Sequence, residues 1–480
     1  MTIADLVKSF DLICPQCDRL YPLFWDKVQH LRDYATPPRL LLNEAEPVSF
    51  LAGFFAAVST QTPVFLGNPQ WKTSEWQQVW QQVQPQLIWG KVPCSSVEAP
   101  PPPPFPGRVM IATGGSSGKI RFAMHTWETL GASVAGFSSY FNGAECRIFD
   151  PPKSPLKRGT DEVVCDPPKS PFLRGTDESD AIHCCCTLPL YHVSGLMQVM
   201  RTLLTGGTLA LLPYASLTGS LPFDPQYYFL SLVPTQLKRL LSQSCANLSQ
   251  FRAVLLGGAP AWPALLQEAK AAKIPVALTY GMTETASQVA TLKPDRFFAG
   301  NITCGQCLPH AQITIQDDWG NPLSVMQPGR VAIASSSLAL GYFPHSFPGD
   351  RPFLTDDIGY FDHQNDLYIL GRHSQTIITG GEKVFPQEIE AAILATQQVK
   401  DVAVIGIPDP DWGERVVAVY VPKNNSVTLE TLEETLKEAI APHLSRYKHP
   451  KTWLAVEQLP RSRQGKLNPA TLRDLILSNE

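Results

Sequence analysis

Between Met110 and Phe122 the chain reads MIATGGSSGKIRF, an apolar run that breaks into glycines, hydroxyls and two cations. Glycines let backbone N–H groups close on anionic oxygens, hydroxyls add rotatable donors and a cation neutralises charge, so these residue types point to phosphate. The Walker A pattern G-x-x-x-x-G-K-[ST] is met only at Gly118 and Lys119, because Thr113 stands at its first glycine and Ile120 at its magnesium-binding hydroxyl. No Walker B strand-Asp pairing follows in RFAMHTWETLG. Two CxxC pairs, Cys14/Cys17 and Cys304/Cys307, offer a tetrahedral zinc site as a second chemistry. They lie far apart in the chain, and Cys184, Cys185 and Cys186 share one apolar run, so buried free thiols are the better reading of the eleven cysteines.

Such residues need a scaffold, and the bulk composition supplies one. With 480 residues, 44% hydrophobic and 17% charged, and a net charge of -4, the chain can bury a large core and has no global attraction for nucleic acid or membrane. No apolar run reaches the ~18 residues of a membrane span, and MTIADLVKSF lacks a basic segment followed by an apolar one. The expectation is a cytoplasmic protein acting on small molecules, with no nucleic-acid partner and no membrane span; the sequence is silent on oligomeric state.

The middle of the chain alternates strand-like and helix-like runs, as in AIHCCCTLPL before GLMQVMRTLL and FRAVLLGG before AWPALLQEAKAAK. That alternation predicts an α/β fold whose mainly parallel sheets are covered by helices. After about residue 375 paired strands and separate helices (DVAVIGIPD, RVVAVYVPK, LETLEETLKEAIAPHL, KTWLAVEQLP, NPATLRDLIL) predict a small α+β domain. The organisation expected is a large domain over 1–371, a hinge at 372–375 and a small mobile domain over 376–480. PPPPPFPG, ending at Gly107, reads as a rigid connector. DPPKSPLKRGTDE at Asp150 to Glu162 returns as DPPKSPFLRGTDE at Asp166 to Glu178, which reads as a disordered surface insertion over 150–180. Trp71, Trp76 and Trp80 are spaced for one helical face and are read as packing residues.

The opening loop also resembles T-[SG]-G-[ST]-[ST]-G-x-P-K-[GA] of the adenylate-forming superfamily, which includes acyl-CoA synthetases, luciferases and adenylation domains. Thr113, Gly115, Ser116, Ser117 and Gly118 match in register, while Ile120 replaces the proline and Arg121 the lysine. Arginine keeps the positive charge but presents a planar fork. Five more resemblances follow in superfamily order, so that the likeness covers the chain from about 109 to its end. LLGGAP (Leu255 to Pro260) resembles the adenine-lining segment, YGMTETASQ (Tyr280 to Gln288) the Y-G-x-T-E motif, and LTDDIGYFD…LYILGR the T-G-D…G-R motif. IITGGEKVFPQEIE resembles the hairpin opening the C-terminal domain, and RSRQGKLNP places Lys466 at the catalytic lysine.

That resemblance implies ATP, Mg2+ and CoA as co-substrates and cofactor. It assigns ATP to Thr113, Gly115, Ser116, Ser117, Gly118, Gly258, Ala259, Tyr280, Gly281, Thr283, Asp357 and Arg372, with Tyr280 behind the adenine and Asp357 on the ribose hydroxyls. It makes Lys466, Glu284 and Arg121 the catalytic set, gives Glu284 the metal, and puts Gly380 and Gly381 on the CoA channel. The hinge position, usually Asp or Lys, is Gln375 here.

LPLYHVSGLMQVMRTLLTGGTL resembles the matching segment of one branch of the superfamily, the 2-succinylbenzoate-CoA ligases of menaquinone and phylloquinone biosynthesis. Their acid carries two carboxylates, one activated and one held. The resemblance implies that Arg201 holds the second through a bidentate pair while His192 and Ser194 line the mouth of the acid site. The bland alternative is that Arg201 snorkels from an amphipathic helix to water. Open beside the ligase reading are a related aryl- or acyl-acid CoA ligase or adenylating enzyme, and an inactive nucleotide-binding relative, which the altered loop and hinge residues suggest.

Overall fold

Strands of unbroken apolar sequence build the larger part of the molecule. The computed structural model describes residues 2–93, 105–114, 119–143, 180–243, 246–349, 351–423, 428–461 and 467–479. The Pro100–Pro104 stretch, nearly all of the 150–180 repeat, Gly115 to Gly118 and Lys466 lie outside them.

The first sheet has the spatial order Asp11–Ile13, Thr208–Leu211, His183–Cys186, Tyr228–Leu232, Ala253–Leu256, Val276–Met282, Ser287–Thr291, Gln306–Cys307. Its strands are parallel through Val276–Met282, and the last two pair antiparallel. Cys184, Cys185 and Cys186 are all buried there, because a sheet covered on both faces takes apolar residues at successive positions. The second sheet runs His345–Ser346, Gly341–Tyr342, Ile120–His125, Val109–Gly114, Val64–Leu66, Leu40–Asn43, Leu87–Gly90. Helices Pro47–Ser59, Trp127–Asn142 and Val193–Thr205 join both sheets in one core, with Phe54, Phe137 and Met197 beside Leu42 and Cys184.

A third sheet (Ala311–Gln316, Gly329–Ser335, Phe353–Phe361, Leu367–Arg372) departs from the parallel expectation and is antiparallel throughout. No helix lies between its strands, and a parallel pair needs a crossover to return the chain. Trp71 also corrects the helical-face reading. It precedes the helix Thr73–Val83, which holds Trp76 and Trp80, and closes edge-on against Trp76 with ring centroids 5.2 Å apart. The two CxxC pairs pack against different cores.

The smaller sheet holds Glu382–Val384, Ile377–Thr379, Gly413–Pro422, Val399–Asp409 and Thr452–Ala455. Its two long strands alternate with period two: Val402, Val404, Val416 and Ala418 face the helices Pro386–Ala395 and Leu429–Ile440, while Ala403, Val417 and Val419 face Pro469–Leu477. Between the two parts, strand Leu367–Arg372 passes through a 3-10 turn at His373–Gln375 into Ile377–Thr379. The Asp356 carboxylate accepts from the Ser374 amide at 3.1 Å and from its hydroxyl. The Gln387 amide donates to Gln375 Oε1 at 3.0 Å.

Candidate active site

The strands on either side of the opening loop pair with each other. Val109–Gly114 and Ile120–His125 are antiparallel, which sets Thr113 opposite Arg121. Arg121 is exposed and lies over the Tyr342 ring at 4.6 Å, and Lys119 is exposed just before the second strand. The Tyr342 hydroxyl donates to Glu284 Oε1, so one aromatic ring joins the cation to the carboxylate. Burial, then the Glu284 charge, pushes the Tyr342 phenol up.

Glu284 belongs to the turn after strand Val276–Met282, at the carboxyl end of a parallel strand, where open α/β sheets bind ligands. It is 7% exposed and has no ion-pair partner among the described residues. Its neighbours are held by side chains from elsewhere. His125 Nε2 donates to the Thr283 carbonyl at 2.8 Å, Ser337 Oγ to the Thr285 carbonyl at 2.8 Å and Ser133 Oγ to the Ala286 carbonyl at 2.7 Å. Burial pushes the His125 imidazole down to about 4 and keeps the ring neutral. Ala286 (φ 49°) and Ser287 (φ 88°) leave the turn in the left-handed region, where non-glycine residues are strained and functional sites concentrate. Gly281 must be glycine, since a Cβ there would sit 2.1 Å from the Ser287 carbonyl oxygen.

On the other side of the motif the Tyr280 hydroxyl donates to Asp357 Oδ2 at 2.8 Å. Asp357 faces Arg372 across the third sheet, with Oδ1 3.6 Å from Arg372 Nε. Burial raises the Asp357 carboxyl, and the Tyr280 hydrogen bond and Arg372 charge oppose it. Gly258 and Ala259 are exposed in the loop after Ala253–Leu256, the strand beside Tyr280's own.

Arg201 does not reach water. It is 2% exposed on helix Val193–Thr205, stacked 4.0 Å over the Phe137 ring, and its Nη2 donates to Ser287 Oγ at 3.2 Å and Gln288 Oε1 at 3.3 Å. No carboxylate pairs with it among the described residues, and its Nε has no hydrogen-bond partner. Burial lowers its guanidinium to about 10. His192 caps the same helix and Ser194 is exposed in its first turn, two helical turns before Arg201. Gly380 (φ 57°) and Gly381 (φ 84°) form a two-residue hairpin loop between Ile377–Thr379 and Glu382–Val384, both left-handed as a type I′ turn requires. The Gly380 amide donates to the Trp412 carbonyl of the same domain at 2.8 Å, and nearby Lys383 reaches Asp318 of the large domain at 3.6 Å.

The structure thus brings Thr113, Arg121, Thr283 and Glu284 to one place, Tyr280, Asp357 and Arg372 to a second beside it, and Arg201 to Ser287 and Gln288 at the end of the same motif. The Gly380-Gly381 turn is on the other domain. Tyr342 and His125 are absent from the sequence reading. Ser287 and Gln288 stand inside YGMTETASQ, but Tyr342 is placed by a long-range contact with Glu284 that leaves no local signal.

These features define a family. Residues 56–343 match the AMP-binding enzyme family and 388–466 its C-terminal domain, and the chain belongs to that family. Among its relatives is the 2-succinylbenzoate–CoA ligase of Geobacillus sp. (strain WCH70), 35% identical over 306 residues, 61% of each chain. The enzyme of that name from Enterococcus faecalis (strain ATCC 700802 / V583) is 34% identical over 298 residues, 59% of each. The matches thus span about three fifths of the length of these curated relatives. Among solved structures, the fold is shared with o-succinylbenzoate CoA synthetase (MenE) from Bacillus subtilis in complex with its acyl-adenylate intermediate OSB-AMP (TM-score 0.78, 22% identity, 98% of this chain and 97% of that one). It is shared as well with the anthranilate CoA ligase AuaEII in complex with anthranoyl-AMP (TM-score 0.77, 15% identity, 100% and 98%). Among the described residues no helix is long and apolar enough to cross a membrane.

Proposed function

We propose that the chain is an ATP-dependent acid–CoA ligase that converts an aromatic dicarboxylate, 2-succinylbenzoate, to its CoA thioester through an acyl-adenylate. One observation carries the choice of acid. Arg201 is a buried cation whose partners among the described residues are all neutral, beside the nucleotide motif, and a buried charge without a counter-ion is costly unless a ligand supplies one. The 2-succinylbenzoate–CoA ligase relatives support the same acid.

A carboxylate is a poor acyl donor because oxide would have to leave. Its oxygen attacks the α-phosphorus of ATP, the bond to the β-phosphate breaks, and pyrophosphate departs. The thiolate sulfur of CoA then attacks the acyl carbon, and AMP leaves with the electrons of the C–O bond. Both partners in the first step are anions, so the protein's work is alignment and charge neutralisation. In this reading Lys466 bridges the acid carboxylate and the α-phosphate. Thr113 and Arg121 flank the pyrophosphate with Gly115, Ser116, Ser117 and Gly118. Asp357 and Arg372 hold the ribose, and Gly258, Ala259, Tyr280, Gly281 and Thr283 line the nucleotide. His192 and Ser194 line the mouth of the acid site, and Gly380 and Gly381 the pantetheine channel. Glu284 is a buried hard-oxygen donor with no ion-pair partner among the described residues, which fits Mg2+. Bound there, Mg2+ supplies charge neutralisation on the phosphates. Rotation of the small domain about 372–375 exchanges Lys466 for the glycine turn between the two half-reactions.

Exchange of labelled pyrophosphate into ATP tests the reading: it should require 2-succinylbenzoate, and CoA should then be consumed stoichiometrically with AMP release. Absence of exchange with this acid sinks the proposal, and exchange without CoA consumption makes the chain an adenylating enzyme with another acceptor.

A further inference from the structure

His310 is unused by the reading above, yet it packs beside the Arg201 stack. It lies between the strands Gln306–Cys307 and Ala311–Gln316 and is 7% exposed. Its backbone is fixed, the carbonyl accepting from Ser335 Oγ at 2.8 Å, but neither ring nitrogen has a hydrogen-bond partner among the described residues. Buried imidazoles ordinarily satisfy both nitrogens, and with Nδ1 packed against the neighbouring helix, Nε2 is the atom left to meet an outside partner.

The surroundings say which kind. The ring rests on helix Trp127–Asn142 at Gly136, where an added Cβ would come 1.8 Å from Nδ1, so the helix is open there for the imidazole and nothing larger than glycine fits. The next residue, Phe137, carries the Arg201 guanidinium on its face at 4.0 Å. Adjacent positions of one helix therefore seat the two polar groups. Burial and the Arg201 charge push the imidazole down to about 4, which keeps it neutral with one N–H to donate and no charge to repel the arginine. Arg201 likewise keeps an unpartnered Nε. Two adjacent buried sets of donors, one cationic and one neutral, suit an acceptor with two oxygens and one negative charge.

We propose that His310 is a specificity-determining residue that donates a hydrogen bond to the unreacted carboxylate of the acid, alongside Arg201. This rests on the dicarboxylate reading and adds a residue to it. Gly136 has a consequence in the same scheme: alanine there displaces the imidazole.

The test compares His310→Leu, His310→Gln and Arg201→Leu with the unmodified full chain, by pyrophosphate exchange on 2-succinylbenzoate and on its two monocarboxylate analogues, 4-oxo-4-phenylbutanoate and 2-propanoylbenzoate. A hydrogen bond to a charged group corresponds to about 10- to 100-fold in affinity. His310→Leu should raise KM for the dicarboxylate by about that factor, change kcat little, and leave the accepted monocarboxylate within about twofold. His310→Gln, which keeps a donor, should recover most of the loss. Equal losses on both acids, or an unchanged KM for the dicarboxylate, overturn the assignment. If Arg201→Leu raises KM and His310→Leu does not, the dicarboxylate reading stands and the histidine assignment alone falls. If the unmodified chain shows no exchange with the dicarboxylate, both fall. Should the leucine variant fail to fold, His310→Asn, whose amide is too short to reach, takes its place with the same outcomes.

Discussion

Arg201 of the large domain and Arg461 of the small one solve the problem of an inward-turned cation in opposite ways. Arg461 is a third exposed and forks onto Asp401, Nε to Oδ2 at 2.6 Å and Nη2 to Oδ1 at 2.7 Å, with Nη2 also 3.2 Å from the Val402 carbonyl. It forms an antiparallel bridge with Leu467, and the Asn468 amide donates to the Pro460 carbonyl at 2.8 Å. Its counter-ion is part of the fold, so it ties down a chain segment. Arg201 is more deeply buried and has a hydroxyl, an amide and an aromatic face but no carboxylate. Where the protein supplies the anion the arginine ties the fold together, and where it withholds the anion our proposal gives that place to the carboxylate of a ligand.

The sharpest way to break that contrast is Arg201→Leu. Removing a buried cation that lacks an anion should leave the melting temperature unchanged or raise it, while KM for 2-succinylbenzoate rises about 100-fold or more. A large loss of stability with an unchanged KM would make Arg201 a second Arg461.

The two domains should also respond to pH with opposite sign. His125 and His310 are pushed down to about 4 by burial, so between pH 6.5 and 4 the unfolded chain binds more protons. Stability of the large domain therefore falls on acidification through that window, by up to about 3 kcal/mol for each ring. Glu390 in the small domain is raised to about 7 by burial, so its contribution is present below pH 4.5 and lost as pH rises toward 7. Urea melts from pH 4 to 7.5, repeated with His125→Asn and Glu390→Gln, should flatten the two slopes separately; slopes of the same sign would contradict the burial assignments.

A smaller effect distinguishes the two cations of the opening loop. Arg121→Ala should slow pyrophosphate exchange about 10-fold, the scale of one charge-assisted contact, while Lys119→Ala stays within about twofold. The reverse order would restore the Walker A reading. Smallest is Asp401→Asn, expected to remove about 1 kcal/mol of stability, since its pair is partly exposed. Differential scanning calorimetry should show that loss in the small domain's transition, with KM for the acid untouched.

Much of this was legible. The period-two strands and amphipathic helices after residue 375 announced the small domain, and the parallel sheets followed from alternating apolar runs. Glu284, Tyr280 and Asp357 stood in motifs whose spacing survives any fold. The antiparallel third sheet was less visible, because strands joined without intervening helices leave no strand–helix alternation to read. Tyr342 and His310 were invisible: each is placed by contact with a residue distant in the chain, Glu284 in one case and Gly136 in the other.

The sequence alone therefore determined the family, since its motifs are carried by local residue types and spacing in fixed order. Tertiary structure decided what became of Arg201. A lysine or arginine on an amphipathic helix is equally able to snorkel to water or turn inward, and the choice depends on what packs around the helix. Here Phe137, Ser287 and Gln288, from elements far apart in the chain, close over it, and that burial is the observation on which the proposed acid rests.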